Sequence, residues 1–157
     1  MKKTLFFLLA MIAVAFSSCE KVQIPPKADV IQIDYCGQQV DCYKAYAFDN
    51  KEYVALDITQ SSITLQNPEF DYVINNQSSN SVGYGTYFNF YRYENNQWNK
   101  IDFKDNIGFT DIGRSLLLFT KDNGKCDMSF FIDVKKGYYI FVKEIGNAFL
   151  YDEFEVK

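Results

Sequence analysis

The sequence predicts an all-β sandwich, and three observations predict it. Short runs rich in Tyr, Phe, Val and Ile recur along the chain, polar turn residues separate them, and no segment carries a helical period of apolar residues. The composition agrees, with 15 Phe and 12 Tyr but only three prolines among 157 residues. A chain of this length makes one ordinary domain with its own core.

The elements follow in order. Val30 to Tyr35 (VIQIDY) alternates apolar and polar residues and reads as a half-buried strand. Tyr43 to Phe48, Tyr53 to Ile58 and Ile63 to Leu65 come next, punctuated by Asp49-Asn50 and Ser61-Ser62. Phe70 to Ile74 is closed by the polar run from Asn75 to Asn80. Tyr87 to Tyr93 (YFNFYRY) is strongly β-forming, turns at Glu94 to Gln97, and returns from Trp98 to Ile101. Ser115 to Thr120 (SLLLFT) and Met128 to Val134 (MSFFIDV) read as buried strands, with a hairpin expected between them at Asn123-Gly124. Lys135-Lys136-Gly137 turns the chain into two last strands, Tyr138 to Glu144 and Phe149 to Val156.

Ahead of these strands, Lys2 and Lys3 precede an uncharged apolar run from Leu5 to Phe16. The run is shorter than the ~20 residues of a comfortable membrane span and suits the apolar core of a secretory signal. It ends Phe16-Ser17-Ser18-Cys19, and here the segment resembles a bacterial lipoprotein signal of the relaxed kind, often ending Ser-Cys, familiar in Bacteroidota. The resemblance implies that residues 1–18 are removed, that the Cys19 thiol carries a diacylglycerol, and that the new N-terminus is acylated. The membrane is then a partner through the anchor alone, because two or three acyl chains hold a protein durably where one holds only marginally. Phe16 departs from the aliphatic residue usual three positions before the cysteine. Residues 19–28 read as a lipidated tether stiffened by Pro25-Pro26, and residues 29–157 as the domain. The expected location is the outer membrane or cell envelope. Glu20 is the single acid just after the cysteine, which leans towards the periplasmic side without deciding between it and the surface.

Charge and composition narrow the function. The whole chain carries −4, and losing Lys2 and Lys3 with the signal takes it to −6. An acidic chain without a basic block argues against nucleic acid as a partner. There is no histidine, which excludes Ser-His-Asp and Cys-His triads and histidine-based zinc sites. Paired-carboxylate chemistry stays formally open, but the chain is small for a cleft of that kind. Neither an enzyme nor a cofactor nor a metal is expected.

Once Cys19 is assigned to lipid, Cys36, Cys42 and Cys126 remain, an odd number for an oxidising compartment. Cys36 and Cys42 flank a five-residue loop and are the disulfide candidate. Pairing with Cys126, or no bridge, are the alternatives.

From 62 to 157 the order of motifs resembles the bacterial immunoglobulin-like domains of envelope and secreted proteins. The residues that carry it are Asn75-Asn76-Gln77-Ser78, Gly83-Tyr84-Gly85, Tyr87 to Tyr93, Asn95-Asn96-Gln97-Trp98, Lys136 to Glu144 and Asp152 to Val156. Lys136 stands where the family has proline, and Ile140 where it has arginine. The resemblance implies an immunoglobulin-like antiparallel β-sandwich, with residues 29–61 as added N-terminal strands. In the Gly137-x-Tyr139 spacing, the tyrosine hydroxyl is expected to reach back to the preceding corner.

Tyr87, Tyr91 and Tyr93 share one face of their strand, opposite Phe88, Phe90 and Arg92. With the phenylalanines inward, the tyrosines form a candidate binding surface for a glycan or an envelope protein. The bland alternative has them covering a neighbouring strand or the N-terminal segment. The function expected is a non-catalytic binding or accessory module. A proteinase inhibitor of similar fold, with Asp102 to Arg114 as its loop, is the alternative.

Overall fold

Two-residue alternation of apolar side chains builds the molecule. The computed structural model describes residues 22–49, 51–60, 62–110 and 112–157. Its strands are β1 (Val30–Tyr35), β2 (Gln38–Tyr43), β3 (Ala45–Ala47), β4 (Tyr53–Ile58), β5 (Glu69–Gln77), β6 (Val82–Tyr84), β7 (Asn89–Glu94), β8 (Gln97–Ile101), β9 (Arg114–Leu116), β10 (Lys121–Asp127), β11 (Gly137–Ile145) and β12 (Ala148–Val156). One sheet runs β10-β5-β4-β3. The other runs β1-β2-β12-β11, and the far edge of β11 is shared by the β7-β8 hairpin and by β6, which pairs with β9. The expected all-β sandwich is what forms.

The main core lies between the sheets. Tyr139, Phe141 and Ile145 of β11 point into it, and Phe70, Phe90, Phe141 and Phe154 meet there with ring centroids 5.2–5.8 Å apart. The alternate residues Ile140 and Val142 point the other way, into a second cluster with Ile33, Cys42, Tyr91 and Tyr151. The β1-β2 hairpin folds over the outer face of the sheet and closes that cluster. β11 is therefore buried on both faces, and its sequence reads as a near-continuous apolar run. The added N-terminal strands do not extend the antiparallel order, because β2 pairs parallel to β12 through Cys42–Phe149 and Tyr43–Leu150.

Several local expectations are met. Asn95 and Asn96 both have positive φ (55° and 62°) in the two-residue β7-β8 turn, as a type I′ hairpin requires. The Tyr139 hydroxyl donates to the Lys135 carbonyl at 2.6 Å and accepts from the Lys135 N–H at 3.1 Å, forming the corner expected of that tyrosine.

Others are corrected. Asn123-Gly124 is not a turn but the middle of β10, with Gly124 opposite Tyr72. The Tyr72 ring fills the space a side chain at position 124 would need, so glycine is there for packing. Met128 to Val134 is not a strand. It holds a short 3-10 turn, Met128–Phe130, capped by the Asp127 carboxylate on the Ser129 N–H. Of Ser115 to Thr120, only the first two residues stay in a strand.

Candidate functional site

The tyrosine row does not form a shared surface. Tyr91 is fully buried beneath the β1-β2 hairpin, and its hydroxyl donates to the Asp34 carbonyl at 3.1 Å. Tyr87 is exposed but turned aside, with its hydroxyl on Asn89 Oδ1 at 2.9 Å and its ring against Phe109 at 4.9 Å. Tyr93 alone keeps a surface role, half-buried against its cross-strand partner Trp98 at 5.0 Å between centroids. The hairpin covers the middle of the row, so its three members share no accessible plane.

What replaces the row is a cleft of about 630 Å³ where β1 meets β8. Residues 30–34 form one wall and residues 96–100 the other, with Tyr93 and Gln39 between them. Among the described residues neither strand is paired on this side. Backbone groups alternate direction along an antiparallel strand. Asp29 gives its carbonyl to Lys44, so by alternation Val30 and Gln32 turn their backbone groups away from β2, whereas the Asp34 carbonyl is taken by buried Tyr91.

The side chains that line the cleft brace one another. Gln97 Nε2 donates to Asn99 Oδ1 at 3.0 Å, and Asn99 Nδ2 to the Glu94 carbonyl at 3.0 Å. On the facing strand Gln32 Nε2 donates to Asp41 Oδ1 at 3.1 Å. Among the described residues, Asp34 and Lys100 are the only charged ones in the lining. The segment before β1 runs into the same place: Pro26 and Ala28 line the cleft, Gln23 Oε1 accepts the Asn96 N–H at 3.3 Å, and the Ala28 carbonyl accepts the Tyr151 hydroxyl at 2.6 Å. Stacking and amide hydrogen bonding are the chemistry on offer.

At the opposite end of β11, a turn from Leu117 to Thr120 carries a second exposed feature. Leu117, Leu118 and Phe119 are 60%, 49% and 60% exposed, and Phe119 has φ 52°. Buried Asn76 holds the turn, its Nδ2 donating to the Leu117 carbonyl at 3.0 Å and the Asn80 carbonyl at 2.8 Å. Thr120 Oγ1 closes it on the Leu117 carbonyl at 2.7 Å.

The inhibitor-loop candidate, Asp102 to Arg114, is pinned at its middle. Phe109 packs on Tyr87, Phe88 and Phe103 at 4.9–5.1 Å, while Ile107 and Ile112 stay exposed.

Cys36, Cys42 and Cys126 are all free thiols, so the Cys36–Cys42 bridge is not formed. The reason is register: Cys42 pairs opposite Ile31 and is buried, whereas Cys36 sits exposed in the turn itself with φ 54°. Burial pushes the Cys42 thiol up to about 12, with the Asp41 charge adding to the effect. Burial raises Cys126 as well, against the partial relief of the Lys143 charge. Neither is a nucleophile. Cys19 lies outside the described residues.

A family model for the bacterial Ig-like domain matches residues 50–155. The chain belongs to that family. The match takes in β4 as well as every strand from β5 to β12, and leaves β1, β2 and β3 outside it. No curated protein and no solved structure gives a significant match. In this bacterial Ig-like chain the cleft therefore lies where a strand of the family sandwich, β8, meets a strand that the family model does not include. Its sequence signal was the amide-rich run Asn95-Asn96-Gln97-Trp98-Asn99, which also spells a hairpin turn. No signal in the sequence brings β1 beside it.

Proposed function

We propose that this bacterial Ig-like chain is a lipid-anchored, non-catalytic binding module of the bacterial envelope, held at Cys19 and using the β1-β8 cleft to hold its ligand. The observation that carries the reading is the docked tether. Residues 23–28, the described part of the segment that follows Cys19 in the chain, lie along the cleft rather than away from the domain. The family supports an accessory role, and the cleft offers aromatic and amide groups without a nucleophile. Its partner is then a glycan or an envelope protein.

The test is metabolic labelling of producing cells with an alkyne fatty acid, followed by protease shaving of intact and lysed cells. Labelling that vanishes in Cys19→Ala is expected. An unlabelled wild-type chain overturns the anchor. Loss of the domain from intact cells assigns it to the surface, and protection until lysis assigns it to the periplasm.

A further inference from the structure

Two classes of occupant match the chemistry of the β1-β8 cleft: an extended peptide added to the open strand edges, or a hydroxyl-rich ligand laid on the aromatic and amide side chains. Spacing separates them. Cα atoms of β1 and β8 come within 8 Å of each other, whereas a strand inserted and paired to both would hold its neighbours about 9.6 Å apart. The edges are too close to admit a peptide between them, yet they leave about 630 Å³ over their side chains.

We infer that this cleft binds a short neutral oligosaccharide. The inference rests on the binding-module reading above and names the ligand class of the same site. Three features carry it. The Tyr93–Trp98 pair, tilted at 60°, supplies an apolar wall of the kind that packs against the C–H face of a sugar ring. Amides surround that wall: both ends of Asn99 are bonded and hold it as a brace, while Gln32 and Gln97 are bonded through Nε2 and turn their Oε1 acceptors to hydroxyl groups. One carboxylate and one ammonium balance each other in the lining, so nothing there selects a polyanion or a polycation. The volume lies within the range of small-molecule sites, which suits a short oligosaccharide better than a polymer fold or a single atom cluster. Preorganised amides also lower the ordering penalty on binding.

Trp98 is the only tryptophan in the chain, so its emission reports on this cleft alone. The purified full chain, in a detergent without a sugar headgroup, is titrated with a chitin tetrasaccharide, maltohexaose and a mannan oligosaccharide. A saturable change in emission is expected with at least one of them. Gln97→Ala and Tyr93→Ala are expected to weaken that response at least tenfold, with thermal midpoints confirming a folded domain. Leu118→Ser, at the far end of the sandwich, is expected to respond as the parent does. Silence with all three sugars, a response only to a charged polysaccharide or to a strand-forming peptide, or a sugar response indifferent to Gln97→Ala overturns the inference. Fatty-acid labelling is read on the same preparation. A labelled chain without a sugar response removes the glycan site and leaves the anchored module standing; a sugar response on an unlabelled chain does the reverse.

Discussion

The Tyr91 hydroxyl reaches the backbone carbonyl of Asp34 at 3.1 Å and ties the N-terminal hairpin to the outer face of the family sandwich. Tyr151 does the same further along, on the Ala28 carbonyl at 2.6 Å. Together they convert a sheet face that would meet water into a second buried layer. Tyr91→Phe keeps the ring and removes one bond, and is expected to destabilise by about 1 kcal/mol. Tyr91→Ala also empties a core position and should lose about 3–5 kcal/mol. Urea unfolding measures both. Amide exchange in Tyr91→Phe should quicken in β1 and β2 more than in β5. Equal protection in all three strands would show that the hairpin does not depend on this bond.

Lys143 is buried in the sandwich, 1% exposed, with its ammonium on the Gly85 and Tyr87 carbonyls at 3.1 and 3.0 Å. The rings of Tyr72 and Phe88 lie 5.7 and 5.8 Å away. Desolvation lowers its pKa to about 8 from 10.5, with Arg114 adding to the fall and Cys126 opposing it. The unfolded chain therefore binds more protons between pH 8 and 10.5, and this group's contribution to stability rises with pH across that window by up to about 1.4 kcal/mol per unit. The buried thiols work in the opposite direction above pH 9, so the useful quantity is the stability of the parent minus that of Lys143→Met. That difference is expected to climb from pH 8 to 10 in urea titrations. A flat difference would mean that water reaches the ammonium.

Much of this fold was legible in the sequence, for a local reason. Strands whose apolar period and turn chemistry agree, such as Tyr53 to Ile58, the β7-β8 hairpin at Asn95-Asn96 and the last two strands, fall where they were expected. The failures share a cause as well. Asn123-Gly124 has a turn's composition, but cross-strand packing on Tyr72 demands glycine in mid-strand. The SLLLF run has a core strand's composition, but its backbone is bent outward by the side chain of Asn76, 41 residues before Leu117. Tyr91 was placed on the correct face of its strand, and only the fold-back of β1 and β2 decided that this face was dry. The cleft was illegible for the same reason, since its two walls come from strands more than 60 residues apart.

Asn76 is the residue on which the apolar turn depends. Its Nδ2 serves the carbonyls of Asn80 and Leu117, and its Oδ1 accepts the Ser78 N–H at 3.1 Å and the Ser78 hydroxyl at 2.8 Å. Asn76→Ala orphans these groups inside the protein, and a loss of about 2–3 kcal/mol is expected. Asn76→Asp keeps the acceptor and loses the donor, so it should rescue little. Proteolysis should then cut after Leu117, Leu118 or Phe119, which a protease meets in the parent only in a rigid turn. A variant as stable and as resistant as the parent would show that the turn is held by its other bonds, the Asn76 N–H on the Thr120 carbonyl, the Phe119 N–H on the Ser78 carbonyl and the Thr120 hydroxyl on Leu117.

The thiols give a count that tests burial, the disulfide and the anchor together. Cys36 is exposed while Cys42 and Cys126 are buried. Burial raises both buried thiols, Cys42 to about 12. The stability this confers is full below the unfolded value of 9.0 and declines as the pH rises through the folded one. Native protein is thus expected to release one equivalent from Ellman's reagent at pH 8, and its stability minus that of Cys42→Ala is expected to fall as the pH passes 9. In urea, Cys42 and Cys126 join, for a total of three if Cys19 carries lipid and four if its thiol is free. A Cys36–Cys42 bridge would leave only Cys126 to react, giving none in the native state and one in urea. A count of one rising to three is the outcome that agrees at once with the register of the first hairpin and with an acylated Cys19.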